Sequence, residues 1–241
     1  MPRFYLPVPL QTGLNIELSS EIAHHIHVLR LQTGDTIELF NGEGGAYIAT
    51  ISSLDKKRAS ADVKLFLAEE RELPYALNLA QALPEGNKMD WIIEKAIELG
   101  VSAIQPLAAQ RSVVKLNAER AEKKLAHWQG IIAAAAGQCG RNRLAVLGQP
   151  MDVPKWLAQQ DMHQRIMLSP RAEQSLADWA RHHPPQAVSL LIGPEGGLSD
   201  HEESLAQRQG VLALAMGPRI LRTETAGLAA ISILNAAWGG M

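Results

Sequence analysis

Residues 190–199 read Leu190-Leu191-Ile192-Gly193-Pro194-Glu195-Gly196-Gly197-Leu198-Ser199, an apolar strand running straight into a loop of three glycines. Ser199 with Glu202 three residues on is a capping-box pattern, so a helix follows at once. Glycines at such a turn let a ligand approach the backbone, and α/β sheets bind ligands at the carboxyl ends of their strands. The spacing is neither GxGxxG nor a P-loop with its lysine, which disfavours dinucleotide and triphosphate binding. A second strand, Val211–Met216, runs into Gly217-Pro218-Arg219-Ile220-Leu221-Arg222-Thr223-Glu224-Thr225-Ala226 and again into a helix. Thr223 or Thr225 can cap that helix, and Glu224 suits its positive end. Two glycine-opened crossings make one cleft of backbone donors and acceptors, able to read an adenine edge and a ribose without charged side chains. Arg219 and Arg222 stand beside it, suited to a phosphate or carboxylate; surface ion pairing is the plainer reading.

Other reactive side chains lead to less. His24, His25 and His27 crowd one turn, but no Cys/His partner pattern completes a metal site; RNA contact or packing is preferred. Cys139 is the single cysteine, and burial is the commoner fate of such a residue. Asp90, Glu94 and Glu98 repeat at i,i+4, as mutually repelling charges on an exposed face beside the apolar Ile92, Ile93, Ala96 and Ile97. From Arg111 to Arg143 seven Lys/Arg face two acids, an excess of five in a chain of formal net charge −2. That stretch can contact phosphates, although Arg120, Lys123 and Lys124 equally suit a solvated helix face.

Positioning such a cleft requires alternating strands and helices, and these begin near Leu77. Strands are predicted at Leu77–Leu83, Val101–Leu107, Arg165–Leu168, Val188–Ile192 and Val211–Met216. Helices are predicted at Lys88–Leu99, about Asn117–Ala136, Gln174–His182, Asp200–Gln209 and Glu224–Trp238. The preceding residues read as β: Thr36–Phe40, a glycine-rich turn at 41–45, Tyr47–Ile51 and Ala61–Leu67, with one helix over Glu21–Leu31 capped by Ser20. The charged stretch 69–72 and Pro74 mark a boundary, giving domains 1–72 and 73–241.

The 241 residues are 46% hydrophobic and 20% charged, a composition that supports a substantial core. A lone cysteine offers no internal disulfide and fits a reducing compartment. The apolar stretch Ala226–Trp238 is too short to span a bilayer, and the N-terminal residues have no secretory pattern. The expectation is a cytoplasmic protein without a membrane role.

Gly193–Ser199 (GPEGGLS) and Gly217–Ala226 (GPRILRTETA) resemble the cofactor motifs of the 16S rRNA uridine-N3 methyltransferases of the SPOUT superfamily. Lys88–Val101 (KMDWIIEKAIELGV), Arg111–Lys115 (RSVVK) and Gln138–Arg143 (QCGRNR) follow that family's order. His24–Leu29 with Arg30, Gly34 and Asp35 is similar to its PUA-like RNA-binding domain. One departure is Gly137, where the family commonly carries glutamate. The resemblance implies a SPOUT-type trefoil-knotted α/β domain preceded by a small PUA-like β-barrel, although general topology rules disfavour knots. It implies a homodimer that uses S-adenosylmethionine to methylate uridine N3 in the decoding region of 16S rRNA on the 30S subunit. By motif match, Leu168, Ser169, Ile192, Gly193, Gly196, Met216, Leu221, Arg222, Thr223 and Thr225 line the cofactor pocket. Arg111 and Arg222 are the catalytic candidates, as cations beside the uracil carbonyls. His24, Arg30, Arg111, Lys115, Arg141 and Arg143 are the RNA-binding candidates. Two alternatives stand beside this: a SPOUT methyltransferase acting on tRNA or 23S rRNA, and a non-catalytic RNA-binding assembly factor that keeps the fold.

Overall fold

A computed structural model describes residues 1–114 and 117–240. The chain forms two compact units: Met1–Glu72 with Ala133–Leu144, and the rest of the described chain. The expected second domain began at residue 73 and ran unbroken; Ala133–Leu144 instead groups with the first unit.

The first unit is a five-stranded curled sheet in the order β1 (Arg3–Tyr5), β3 (Thr36–Phe40), β4 (Ala46–Leu54), β5 (Ala59–Leu67), β2 (Asn15–Leu18). β1 runs parallel to β3 and the other pairs are antiparallel. Irregularities between Ile48 and Ala49 and between Ile51 and Ser53 bend the long β4–β5 ribbon, as bulges do. Period-two burial sends Ile37, Leu39, Ala49, Ile51, Ala61 and Val63 to one core with Ile22, Ala23 and Ile26 of helix α1 (Ser20–Val28). The cap of α1 is Ser19, not Ser20: its hydroxyl accepts the Ile22 N–H. β1 and β2 did not stand out in the sequence.

The second unit has a seven-stranded sheet, with all its pairs parallel. Its order is β12 (Leu212–Leu214), β10 (Gln164–Leu168), β11 (Val188–Ile192), β6 (Leu77–Ala82), β7 (Ala103–Ala108), β8 (Val146–Leu147), with β9 (Met151–Asp152) also on β7. Its helices are α2 (Lys88–Glu98), α3 (Ala118–Cys139, whose last residues belong to the first unit), α4 (Val153–Ala158), α5 (Leu176–His182), α6 (Asp200–Arg208) and α7 (Thr223–Trp238). β11 is buried along its whole length, which is why VSLLI is a continuous apolar run. α7 buries Leu228, Ile231, Leu234 and Trp238. The polar atoms it takes inside are bonded: Asn235 Nδ2 donates to Leu99 O at 2.8 Å, its Oδ1 accepts from Tyr75 at 3.0 Å, and Trp238 Nε1 donates to His183 O at 2.9 Å. Among the described residues no helix is long and apolar enough to cross a membrane.

Candidate functional site

Three parallel strands end level with one another. β10 pairs Met167 with Leu191 of β11 and Leu168 with Leu214 of β12, so the loops that follow open at one end of the sheet. β12 lies outside β10, yet Thr223 at the head of α7 bonds to residues at the ends of β11 and β6. The segment 215–222 therefore crosses back over the ends of β10 and β11. This crossing and the loop 193–199 form the two lips of a cleft.

The lip 193–199 is held by its own glycines. Gly197 has φ +67°, a left-handed turn, and a Cβ on Gly193 would come within 2.9 Å of the Leu198 nitrogen. A Cβ on Gly196 would meet the Arg111 side chain at 3.3 Å, so there the close approach is to a protein side chain. Arg111 Nη1 donates to Gly196 O and Leu198 O, each at 3.2 Å. The expected capping box of α6 is complete, with Ser199 and Glu202 bonding each other's backbone. Glu202, 3% exposed, also accepts the Gln110 N–H at 2.8 Å. The 110–112 turn after β7 and the glycine loop are thereby fastened as one piece.

The lip 215–222 is exposed from Gly217 to Ile220. Among the described residues the N–H groups of Met216, Gly217 and Leu221 have no hydrogen-bond acceptor. Leu221 and Met216 are half-buried and Thr225 is exposed. Arg222 is exposed; its carbonyl accepts the N–H groups of Thr225 and Ala226 at 2.9 and 2.8 Å, and its side chain makes no ion pair or hydrogen bond to a described residue. At the floor, Ile192 and Ser169 are buried and Leu168 half-buried, and the Ser169 N–H donates to Leu214 O at 3.0 Å. Capping of α7 differs from expectation. Arg222 holds the cap position without a side-chain cap bond, because Thr223 turns its hydroxyl to Gly193 O at 2.6 Å.

Beside the cleft lies a charged cluster that the sequence reading missed. Lys88 Nζ is 2.6 Å from Glu195 Oε1 and 3.8 Å from Glu224 Oε2, and Glu85 donates its N–H to Glu195 at 3.1 Å. Burial raises the Glu195 carboxyl, but the Lys88 bond, two backbone N–H groups and the Lys88 charge outweigh it and hold it below its ordinary value. The Glu195 bond chiefly raises Lys88 in turn. The available signal was that KMDWIIEK, GPEGG and RTET each hold a charge beside a glycine or a helix start.

The RNA candidates divide. His24 and Arg30 are exposed on the first unit, with Arg30 in a left-handed conformation at φ 58°. Arg143 keeps a half-exposed side chain 3.5 Å from Glu70. Arg141 is corrected: it is 3% exposed, and its Nε and Nη2 bind both oxygens of Glu72 at 3.0 and 2.5 Å, so it does not face a phosphate. Lys115 lies outside the described residues. The acidic repeat on α2 is corrected too. Asp90 accepts from Trp128 Nε1 and sits opposite His127 Nε2, both at 2.9 Å, while Glu94 and Glu98 share Lys95 at 2.7 Å each. Among the described residues no three His, Cys, Asp or Glu side chains gather as a metal site.

Comparison with known proteins gives two family matches: an RNA methyltransferase domain over residues 71–235, and an RNA methyltransferase PUA domain over residues 18–64. The chain is 36% identical to the ribosomal RNA small subunit methyltransferase E of Bacillus subtilis, covering 98% of this chain and 96% of that one. The crystal structure of a ribosomal RNA small subunit methyltransferase E from Neisseria gonorrhoeae, bound to S-adenosyl methionine, superposes with a TM-score of 0.91. It is 37% identical, with 99% of this chain and 98% of that chain covered. A Legionella pneumophila protein solved with bound SAM gives a TM-score of 0.92 at 39% identity, over 98% and 97% of the two chains. The fold is thus the expected one, a SPOUT-type α/β domain preceded by a PUA-like β domain.

Proposed function

Because the chain belongs to the RNA methyltransferase family that includes ribosomal RNA small subunit methyltransferase E, we propose that it methylates 16S rRNA of the small ribosomal subunit with S-adenosylmethionine, at N3 of a uridine in the decoding region. The observation that carries this reading is the cleft at the level ends of β10, β11 and β12, with backbone N–H groups unpaired among the described residues on one lip and a pinned glycine loop on the other.

The residues fit that cofactor. The N–H groups of Met216, Gly217 and Leu221 have no acceptor among the described residues, as suits the acceptor edge of an adenine, and Leu168, Ile192 and Leu221 offer apolar walls. When bound, the cofactor supplies an electrophilic methyl group. The protein's part is to hold the uridine nitrogen in line with it. Arg222, exposed beside the cleft with a side chain unpaired among the described residues, stabilises negative charge on a uracil carbonyl as the N3 proton leaves. Arg111 also belongs to this site, but through the glycine loop whose carbonyls it holds. His24, Arg30 and Arg143, with Lys115, supply cations and donors for the RNA backbone.

The same reading includes a homodimer working in the cytoplasm, where small subunits are found. It is supported by α7, whose Ala226, Ala229, Ile233, Ala236 and Ala237 form an uncharged, partly exposed stripe opposite its buried face. Light scattering should return twice the chain mass, and Ile233→Asp should return the chain mass. The function is tested by incubating small subunits from a strain lacking this gene with protein and radiolabelled S-adenosylmethionine, then mapping the product by reverse transcription. A methyl on N3 blocks the Watson–Crick edge and stops the polymerase at one decoding-region uridine. Label on another RNA, or on another atom of the base, would sink the assignment.

A further inference from the structure

Gln81, the fifth residue of β6, is fully buried. Its amide nitrogen donates to Thr223 Oγ1 at 2.9 Å and to Ala82 O at 2.9 Å. Thr223, 6% exposed, donates its own O–H to Gly193 O at 2.6 Å. The direction of this chain is fixed by chemistry. A hydroxyl has one proton, and Thr223 uses it on a carbonyl, so what approaches its oxygen must be a donor. Turning the amide over would set Gln81 Oε1 against two oxygens that offer it no proton. Oε1 is left instead without a partner among the described residues, buried beside Gly227, where a Cβ would stand 3.7 Å from it. A buried amide oxygen without a partner is costly. A leucine or methionine would fill the site without that cost, so the residue is better explained by what its nitrogen does.

Its nitrogen fixes the cleft. Gly193 is the first residue after β11 and opens one lip; Thr223 is the first residue of α7 and closes the other. The only side-chain bond joining the two residues is this hydroxyl, and Gln81 holds it from below. We propose that Gln81 is a positioning residue of the cofactor site, setting the separation and orientation of the two lips through Thr223 without itself touching cofactor or RNA. The inference rests on the methyltransferase reading above.

The test measures S-adenosylmethionine affinity by calorimetry, and kcat and KM on small subunits, for the full-length wild-type chain, Gln81→Met, Thr223→Val, Thr223→Ser and the Gln81→Met/Thr223→Val pair. Gln81→Met keeps length and apolar bulk while removing the donor. Its Kd and KM for the cofactor should rise about tenfold, the size of one well-placed hydrogen bond, with kcat at saturating cofactor within about threefold. Thr223→Ser keeps the hydroxyl and should bind the cofactor more tightly than Thr223→Val. The double variant should bind no more weakly than Thr223→Val, since each change breaks the same chain. A purely packing role for Gln81 would leave Kd unmoved or make the two losses multiply, and either result overturns the proposal. Wild-type protein that fails to bind the cofactor would overturn the function and this inference together; wild-type binding with Gln81→Met unaffected overturns the inference alone.

Discussion

The guanidinium of Arg111 reaches the glycine loop and donates from one nitrogen to the carbonyls of Gly196 and Leu198, each at 3.2 Å. This changes what its removal should do. Arg111→Ala should weaken S-adenosylmethionine binding as well as methyl transfer, because the lip it supports loses two bonds. Arg111→Lys keeps the charge but not the planar fork, and should recover less than half of the lost binding free energy. Calorimetry with a transfer assay decides; an Arg111→Ala protein with wild-type affinity and no activity would return Arg111 to the RNA alone.

The glycines of that lip should not be equivalent. At Gly197 a side chain meets nothing within 4 Å and only the left-handed φ resists it, so Gly197→Ala should cost about 1 kcal/mol. At Gly193 the new Cβ would press on backbone at 2.9 Å, which must shift, so Gly193→Ala should lose cofactor binding outright. Equal affinities for the two variants would show that the lip yields freely.

Arg30 holds a position normally given to glycine. It closes α1 with its N–H on His27 O at 3.0 Å and the Leu31 N–H on Ile26 O at 3.1 Å, in a left-handed conformation that costs a non-glycine residue about 1 kcal/mol. Arg30→Gly should raise stability by about 0.5–1 kcal/mol while weakening RNA binding and lowering its salt slope by about one counterion. A variant both more stable and equally tight for RNA would remove Arg30 from the interface.

The Lys88–Glu195 pair gives a defined pH window. Glu195 is held below its ordinary value, so its contribution is present above the unfolded carboxylate range and is lost as pH falls through the folded value. Lys88 is raised, so its contribution is present below the unfolded lysine range and is lost as pH rises through the folded value. The stability difference between wild type and Lys88→Met should be flat between about pH 5 and pH 10 and shrink below about pH 4. Chemical denaturation across pH measures it; a difference that persists at pH 3 would exclude the ion pair as its source.

Gly130 and Gly137 both sit inside α3. A Cβ on Gly130 meets nothing within 4 Å, and one on Gly137 only brushes the Phe40 ring at 3.7 Å. Each change to alanine should stabilise the chain by about 0.5–1 kcal/mol, read as a rise in thermal midpoint. Destabilisation at Gly137 would show that Phe40 cannot accommodate a side chain there.

Legibility followed range along the chain. β11 and α7 were readable because an unbroken VSLLI and a long apolar helix are local signals, and the capping box of α6 is written in Ser199 and Glu202. β1 and β2, three and four residues long, are too short for alternation to show. Parallel strands have no turn between neighbours, so nothing in 211–216 says that β12 lies outside β10. The roles of Lys88, Gln81 and Arg141 depend on partners 107, 142 and 69 residues away, and no window of sequence contains both members. A basic residue in a basic stretch gave Arg141 the look of a phosphate ligand; the glutamate beneath it decided otherwise.

The crossing of 215–222 over the strand ends also orders events in time. Its closing bond joins Gln81 to Thr223 across 142 positions, and closure of so long a loop is slow. A nascent chain stopped at Arg222 can complete β6, β10 and β11 and contains the residues of the second lip, yet lacks the Thr223 hydroxyl that spaces it. Ligand binding stabilises only the state that binds, so the cofactor cannot assist any earlier stage of folding. Its first effect comes after the last crossing is made, as a check on a finished protein.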